Sequence, residues 1–303
     1  MSRRISIRQM TRNYVAALWG VSSFGLLPAR AAALSDATVE LCQTGALMTE
    51  QAITGAYEQE CMKLSVREIP YQNTRQNRSG ILRIQQGTAG AGSTGLAVWN
   101  SSLLLSRLLQ QLASASDDDW PSSRTRVLEL GCGTGLASLT AAALGADQVL
   151  ATDGNPAVVS LAERNIRTND LSDRVRARGM TWSFMNALEY ADEMDVVMGS
   201  DLTYQSQNWP ALAETMATAV KPRVGLVLYL TLGHAGFAVQ AEVQGFLAVA
   251  QQYGLVPVVD APATGLPTSD LTRFVYEHCI RPEELPIVQS TGGVRVLALQ
   301  RKR

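Results

Sequence analysis

Residues 127–136, VLELGCGTGL, leave this chain few ways to fold. An apolar run carrying the acidic Glu129 near its end leads into three glycines at two-residue spacing, Gly131, Gly133 and Gly135. A helical pattern, SLTAAALGA, opens at once. The order is strand, tight glycine turn, helix. Glycine lets the backbone take positive φ and approach a neighbour without a Cβ in the way. The helix N-terminus then offers unpaired N–H groups to a polar or anionic group. Such a turn at the carboxyl end of a parallel strand is a candidate nucleotide-type site. Its spacing is G-x-G-x-G, not the G-x-G-x-x-G of dinucleotide binders. The plainer alternative is a glycine-rich turn that binds nothing.

The rest of the chain repeats the same alternation. Strands are expected at Arg126–Leu130, Gln148–Thr152, Arg174–Arg178, Asp195–Gly199, Val224–Leu230, Leu255–Val259 and Val294–Gln300. Helices are expected at Leu136–Leu144, Pro156–Asn169, Trp209–Val220 and Ala238–Tyr253. Alternating units predict an α/β fold with a mostly parallel sheet and helices on both faces. Right-handed crossovers then line the strand carboxyl ends along one edge. Upstream, Leu96–Leu112 has apolar residues at helical spacing. Ala37–Lys63 is weakly helical, and Val66–Ile69 and Ile81–Gln85 are short strands around a polar turn. Residues 260–292 fit no regular unit. These patterns divide the chain into an N-terminal segment 1–35, a helical and β-hairpin extension 36–95, and a main domain 96–303.

Charge separates the first of these from the rest. Residues 1–35 hold Arg3, Arg4, Arg8, Arg12 and Arg30 and no acid; the net charge of −1 then leaves −6 on the remainder. A basic start, the apolar run YVAALWGVSSFGLLP and Ala29-Arg30-Ala31 resemble a targeting segment, with an organelle (chloroplast or mitochondrion) as the expected address; Ser2-Arg3-Arg4 also resembles a twin-arginine signal, and the alternative is a plain N-terminal extension on a cytoplasmic protein. The run is too short for a stable membrane span. The mildly acidic remainder gives no reason to expect a nucleic-acid partner. Cys42, Cys61, Cys132 and Cys279 lack C-x-x-C spacing and have two histidines for company, so neither a metal site nor a disulfide framework is expected.

Candidate chemistry gathers at the predicted carboxyl edge. Asp153 closes the second strand, where a carboxylate can accept both hydroxyls of a ribose. Its competing role is a helix cap, for which Asn155 is better placed. Trp182 follows the third strand and can pack on an adenine face. Asp201-Leu202-Thr203-Tyr204 follows the fourth strand, beside the glycine turn, where a carboxylate and a ring could hold an incoming amine; a capping Asp with a packed Tyr is the structural alternative. Trp99 heads the first long helix.

ELGCGTG resembles motif I of the Rossmann-like, seven-strand methyltransferases that use S-adenosylmethionine. TGLAVWNSSLLLSRLL, VLELGCGTGLASL, ATDGNP, MTW and GSDLTY, in this order, resemble methyltransferase family 16, the Rossmann-like protein-lysine methyltransferases that act on chaperones, elongation factors and calmodulin. The likeness covers roughly residues 66–259. It implies a seven-strand sheet and S-adenosylmethionine as cofactor. Glu129, Gly131, Gly133 and Gly135 would line its methionine and ribose part, and Asp153 would hold the ribose. Trp182 would take the adenine, and Trp99 would close the pocket. Asp201 and Tyr204 would flank the acceptor lysine of a protein substrate. Two positions depart from the family: Asn100 stands where an acid or proline is frequent, and TLGHAGF lacks a basic residue often found there. Other readings are a histidine or small-molecule acceptor, or a non-catalytic cofactor-binding module. A nicotinamide oxidoreductase is disfavoured by the glycine spacing.

Overall fold

The computed structural model describes residues 34–49, 51–53, 56–88, 94–116, 120–233, 239–258 and 270–302; for 51–53 and 56–58 only the backbone path is described. The basic N-terminal segment as far as residue 33 and most of the TLGHAGF departure (234–237) therefore lie outside the described residues.

The extension begins with helix α1 (Asp36–Gln43), capped by the Ser35 hydroxyl, which accepts from the Thr38 N–H at 3.1 Å. Among the described residues of the expected Ala37–Lys63 helix, only 37–43 are α-helical. Two short antiparallel strands, β1 (Gln51–Ile53) and β2 (Ala56–Glu58), replace the middle, and a 3₁₀ turn covers Glu60–Lys63. The hairpin is longer than expected: β3 (Val66–Asn73) pairs along its whole length with β4 (Arg78–Gln85). Helix α2 starts at Asn100, not residue 96, and runs to Ala115; Thr94–Leu96 form a 3₁₀ turn before it.

The seven-stranded sheet follows. Its elements are β5 (Arg126–Leu130), α3 (Leu136–Leu144), β6 (Gln148–Asp153), α4 (Pro156–Thr168), β7 (Val175–Gly179), α5 (Phe184–Ala187), β8 (Val196–Ser200), α6 (Trp209–Ala219), β9 (Leu226–Leu232), α7 (Val239–Gln252), β10 (Leu255–Pro257), α8 (Leu271–His278), α9 (Leu285–Ser290) and β11 (Val294–Arg301). Across the sheet the order is β10-β11-β9-β8-β5-β6-β7; β11 runs antiparallel to both its neighbours, β9 and β10, and the other six strands share one direction. The chain leaves β5 for β6 on one side and returns to β8 on the other. The switch point therefore lies between β5 and β8, where open α/β sheets bind ligands.

Burial on both faces explains the apolar strand sequences. Successive residues feed opposite cores. Val127, Val196, Met198, Leu226, Leu228 and Leu230 pack with α2 and α3 on one face. Leu128, Leu130, Val197, Val227 and Tyr229 pack with Leu212 and Met216 of α6 and Phe246 of α7 on the other. No helix among the described residues is long and apolar enough to cross a membrane.

The segment 260–292 does contain regular units. From Leu271 onward it forms α8, a 3₁₀ turn at Pro282–Glu284, and α9. Pro282 and Pro286 read as breakers, yet each sits in the first turn of its helix, where the missing N–H costs nothing. This segment is tied to the extension through charge. Arg107 of α2 donates to both oxygens of the buried Glu284 at 2.6 and 2.8 Å, and to the carbonyls of Cys279 and Gly45. Glu284 also accepts from the N–H groups of Leu47 and Arg281. Burial opposes the Glu284 charge, but Arg107 and the backbone donors outweigh it and hold the carboxyl below its usual range.

One expectation is corrected. Cys42 and Cys61 form a disulfide across 19 residues, with Cα atoms 5.5 Å apart, while Cys132 and Cys279 are free and buried. Spacing in sequence hid the pair because α1 and the 3₁₀ turn at Glu60–Lys63 meet only in the fold. Replacing both by serine is expected to lower unfolding free energy by about 3 kcal/mol, the loop-closure value for a ring of this size. Denaturant titration checks this. Alkylation of the unfolded, unreduced chain should label only Cys132 and Cys279.

Candidate active site

The glycine turn is built by close approach of the chain to itself. Gly131, Gly133 and Gly135 have φ of 61°, 53° and 83°. A Cβ at Gly131 would lie 2.4 Å from Leu202 Cδ2, and one at Gly133 would lie 3.2 Å from the Gly95 carbonyl oxygen. A Cβ at Gly135 would meet Ala162 of α4 at 3.6 Å. The glycines thus seat the loop after β8, the turn before α2 and helix α4 around a single corner. The turn also holds itself: Gly135 N–H donates to the Cys132 carbonyl at 2.8 Å, and Cys132 N–H to that of Thr152 at 2.8 Å.

Two carboxylates flank the turn. Glu129, only 2% exposed, caps α3 from the preceding strand; its Oε2 accepts from Ser138 N–H at 2.9 Å and from the Ser138 hydroxyl at 2.5 Å. Its Oε1 has no partner among the described residues. Asp153, at the end of β6, accepts from Asn155 N–H at 2.9 Å through Oδ1 and from Gly133 N–H at 3.3 Å through Oδ2. Asn155, not Asp153, caps α4. Burial pushes the Glu129 carboxyl up to about 7, against its bonds to Ser138 and with help from the Asp153 charge. Burial likewise raises Asp153, opposed by the N–H groups of Asn155, Gly133 and Gly154. Both shifts come chiefly from burial, which the hydrogen bonds to these carboxylates only partly offset.

Asp201 stands on the other side of Gly131. It holds the left-handed backbone region at φ 50°, which a non-glycine residue keeps only when its surroundings over-determine it. Its N–H donates to the Leu230 carbonyl at 3.0 Å. Its Oδ1 accepts from Leu232 N–H at 2.8 Å and from the Thr231 hydroxyl at 2.9 Å. Oδ2 has no partner among the described residues. Tyr204 is 57% exposed, and partial burial together with the charge of Asp153 raises its phenol. It lies three residues after Asp201, on the same loop.

Glu129, the three glycines, Asp153, Asp201 and Tyr204 therefore come together. Trp99 joins them through its loop: it precedes the first residue of α2, and its indole N–H donates to the Thr94 carbonyl at 2.8 Å, beside the Gly95 contact with Gly133. Trp182 lies further out, beyond β7, half-buried against the α6–α7 core. Its strand is nonetheless linked to Asp153, whose carbonyl accepts from Met180 N–H at 2.9 Å.

Sequence reading passed over Tyr229 and Thr231 of β9. Each is a hydroxyl in an otherwise aliphatic strand, VLYLTL, and a buried hydroxyl needs a partner. That mismatch was the available signal. Two clefts of about 730 and 670 Å³ lie elsewhere, along the β3–β4 hairpin, and neither holds a buried carboxylate.

The charge of the edge has a measurable consequence. Folded Glu129 keeps its proton to about pH 7, whereas the unfolded carboxyl loses it near its ordinary value of 4.5. The folded state binds more protons between those values, so stability falls as pH rises through that window and levels off above it. The melting temperature of the ligand-free protein should drop from about pH 5 to about pH 7.5, and Glu129→Gln should flatten the drop. A wild-type slope in that variant would place the titration elsewhere.

Comparison with known proteins identifies the family. Residues 76–233, just over half of the chain, match the family described as lysine methyltransferase. The chain is 34% identical over 154 residues to protein-lysine N-methyltransferase EFM3 of Chaetomium thermophilum, covering 47% of this chain and 44% of the relative. It is 37% identical over 102 residues to calmodulin-lysine N-methyltransferase of Arabidopsis thaliana, covering 32% and 34%. It is 34% identical over 121 residues to protein N-lysine methyltransferase METTL21A of Xenopus tropicalis, covering 39% and 52%. The matched segments span about half or less of each relative. On the family match over residues 76–233, the chain belongs to the lysine methyltransferase family.

Proposed function

We propose that this protein transfers a methyl group from S-adenosylmethionine to the side-chain amine of a lysine in a protein substrate. The observation that carries the reading is Asp201: a carboxylate held by two bonds through Oδ1, leaving Oδ2 unpartnered among the described residues, at the sheet's switch point beside the glycine turn.

The donor set fits such a cofactor. S-adenosylmethionine is a sulfonium and an ammonium with a ribose diol, and when bound it supplies an electrophilic methyl. The edge offers carboxylates that burial leaves under-compensated, Glu129 and Asp153, and a cationic ligand would relieve both. In this reading Glu129 Oε1 and the turn of Gly131, Gly133 and Gly135 hold the methionine and ribose part. Asp153 accepts from the ribose hydroxyls, Trp182 packs on the adenine, and Trp99 closes the pocket.

The chain's remaining work is to present a neutral amine in line. A free lysine, with pKa ~10.4, is almost wholly protonated at neutral pH. The Tyr204 ring forms a wall that excludes water from the amine, which lowers its pKa. Asp201 Oδ2 accepts a hydrogen bond from the amine, aims its lone pair and can take its proton on the way to solvent. Alignment of this kind is worth ~7–11 kcal/mol in intramolecular models.

Two variants separate the roles. Asp153→Ala should weaken S-adenosylmethionine binding by about 1–3 kcal/mol, the usual loss of a charge-assisted hydrogen bond. Asp201→Ala should abolish transfer while leaving that affinity within about tenfold, because an interaction made mainly in the transition state appears in turnover. Calorimetry alongside initial rates checks both. Normal turnover by Asp201→Ala, or outright loss of cofactor binding, would remove Asp201 from the acceptor side.

A further inference from the structure

The loop that carries Asp201 and Tyr204 is held by groups that touch neither the expected cofactor nor the acceptor. Thr203 sits between them, 1% exposed. Its backbone N–H donates to the Tyr229 hydroxyl at 3.1 Å, and the N–H of Leu202 donates to the same oxygen at 3.0 Å. Its carbonyl accepts from the Trp209 indole N–H at 2.8 Å. Its hydroxyl lies 2.7 Å from the Tyr229 hydroxyl and donates to Glu242 of α7. Every polar group of Thr203 is thus bound by a side chain, and those side chains come from three elements, β9, α6 and α7.

Tyr229 is the centre of this clamp. It is fully buried, with its ring 5.6 Å from that of Phe246, so only the hydroxyl meets the loop. Two residues along the same face of β9, the Thr231 hydroxyl binds Asp201 Oδ1. One strand face therefore fixes both the carboxylate and the two residues that follow it. The left-handed backbone of Asp201 needs such over-determination to persist. Without the Tyr229 hydroxyl, two consecutive buried N–H groups lose their acceptor, and the loop must turn to find others.

We propose that Tyr229 is a positioning residue for methyl transfer: its hydroxyl, with Thr203 and Glu242, sets the loop that aims Asp201 at the acceptor amine. This rests on the methyl-transfer reading for its effect on rate, but the clamp itself can be tested without turnover.

The variant is Tyr229→Phe, which removes one oxygen and keeps the ring. Three readouts are taken on the full chain. They are calorimetric binding of S-adenosylmethionine, hydrogen exchange of the peptide spanning residues 201–205, and transfer of labelled methyl from saturating S-adenosylmethionine into a total protein extract. Exchange across the Leu202 and Thr203 amides should quicken by about tenfold or more as their acceptor goes. Cofactor affinity should stay within about threefold, and transfer should fall about ten- to a hundredfold, as expected for a misplaced rather than missing group. Raising the pH should not restore the rate, because the defect is geometry and not amine protonation. Thr203→Val, which loses only the link to Glu242 and one contact of Tyr229, should give an intermediate rate.

Wild-type exchange in Tyr229→Phe would overturn the clamp. So would unchanged transfer beside an active wild type and an inactive Asp201→Ala, or a loss of transfer matched by loss of cofactor binding. If Tyr229→Phe does not fold, Thr203→Val and Glu242→Gln decide the question by the same readouts. If the wild type transfers no methyl, the proposed function fails, while exchange still decides the clamp.

Discussion

The candidate site depends on how Leu202 is seated. Its side chain fills the spaces that a Cβ would take at Gly131, 2.4 Å away, and at Gly199, 2.6 Å away. One glycine directly follows β5 and the other belongs to β8, so a single leucine locks the two strands of the switch point together at their carboxyl ends. Any side chain at either position would drive the leucine out, and packed interiors do not deform continuously to absorb that. The displacement would carry Asp201 and Thr203 with it. Gly131 and Gly133 are required by the packing of the protein against itself, and Gly135 by its left-handed φ, before any ligand is considered.

Charge is distributed to match. At the amino edge of the sheet, Arg126 pairs with Glu193 at 2.6 Å and Lys221 with Asp195 at 2.5 Å. At the end of the outer strand, Arg178 is taken up by Glu189 and Tyr190. Arg107 is committed to Glu284 on the extension side. The carboxyl edge is left with Glu129, Asp153 and Asp201. Burial opposes the charges of Glu129 and Asp153, and a cationic ligand beside them lowers that cost. A sulfonium and a lysine amine are both of that kind.

Much of this was legible in the sequence. The β5–turn–α3 unit, the strand alternation and the acids closing β6 and β8 follow from periodicity and spacing, because parallel strands buried on both faces read as near-continuous apolar runs. Contacts that join distant segments were not legible. The Cys42–Cys61 bridge, the Arg107–Glu284 pair and the Tyr229 clamp each link residues that no local rule relates. Helices α8 and α9 were missed because they are short, eight and six residues, and α9 carries a proline in its first turn. Glu129 carried a clear signal as an acid before the glycines, but its bonds to Ser138, as a cap reaching α3 from the preceding strand, needed coordinates.

The central claim is that the three-carboxylate edge serves methyl transfer to lysine. The most direct test is mass spectrometry of a total protein extract incubated with the purified chain and isotope-labelled S-adenosylmethionine, with labelled residues located by fragmentation. The account predicts labelled methyl groups on lysine side chains of a small set of proteins. Label confined to histidines or to small molecules, or tight cofactor binding with no label transferred at all, would contradict it.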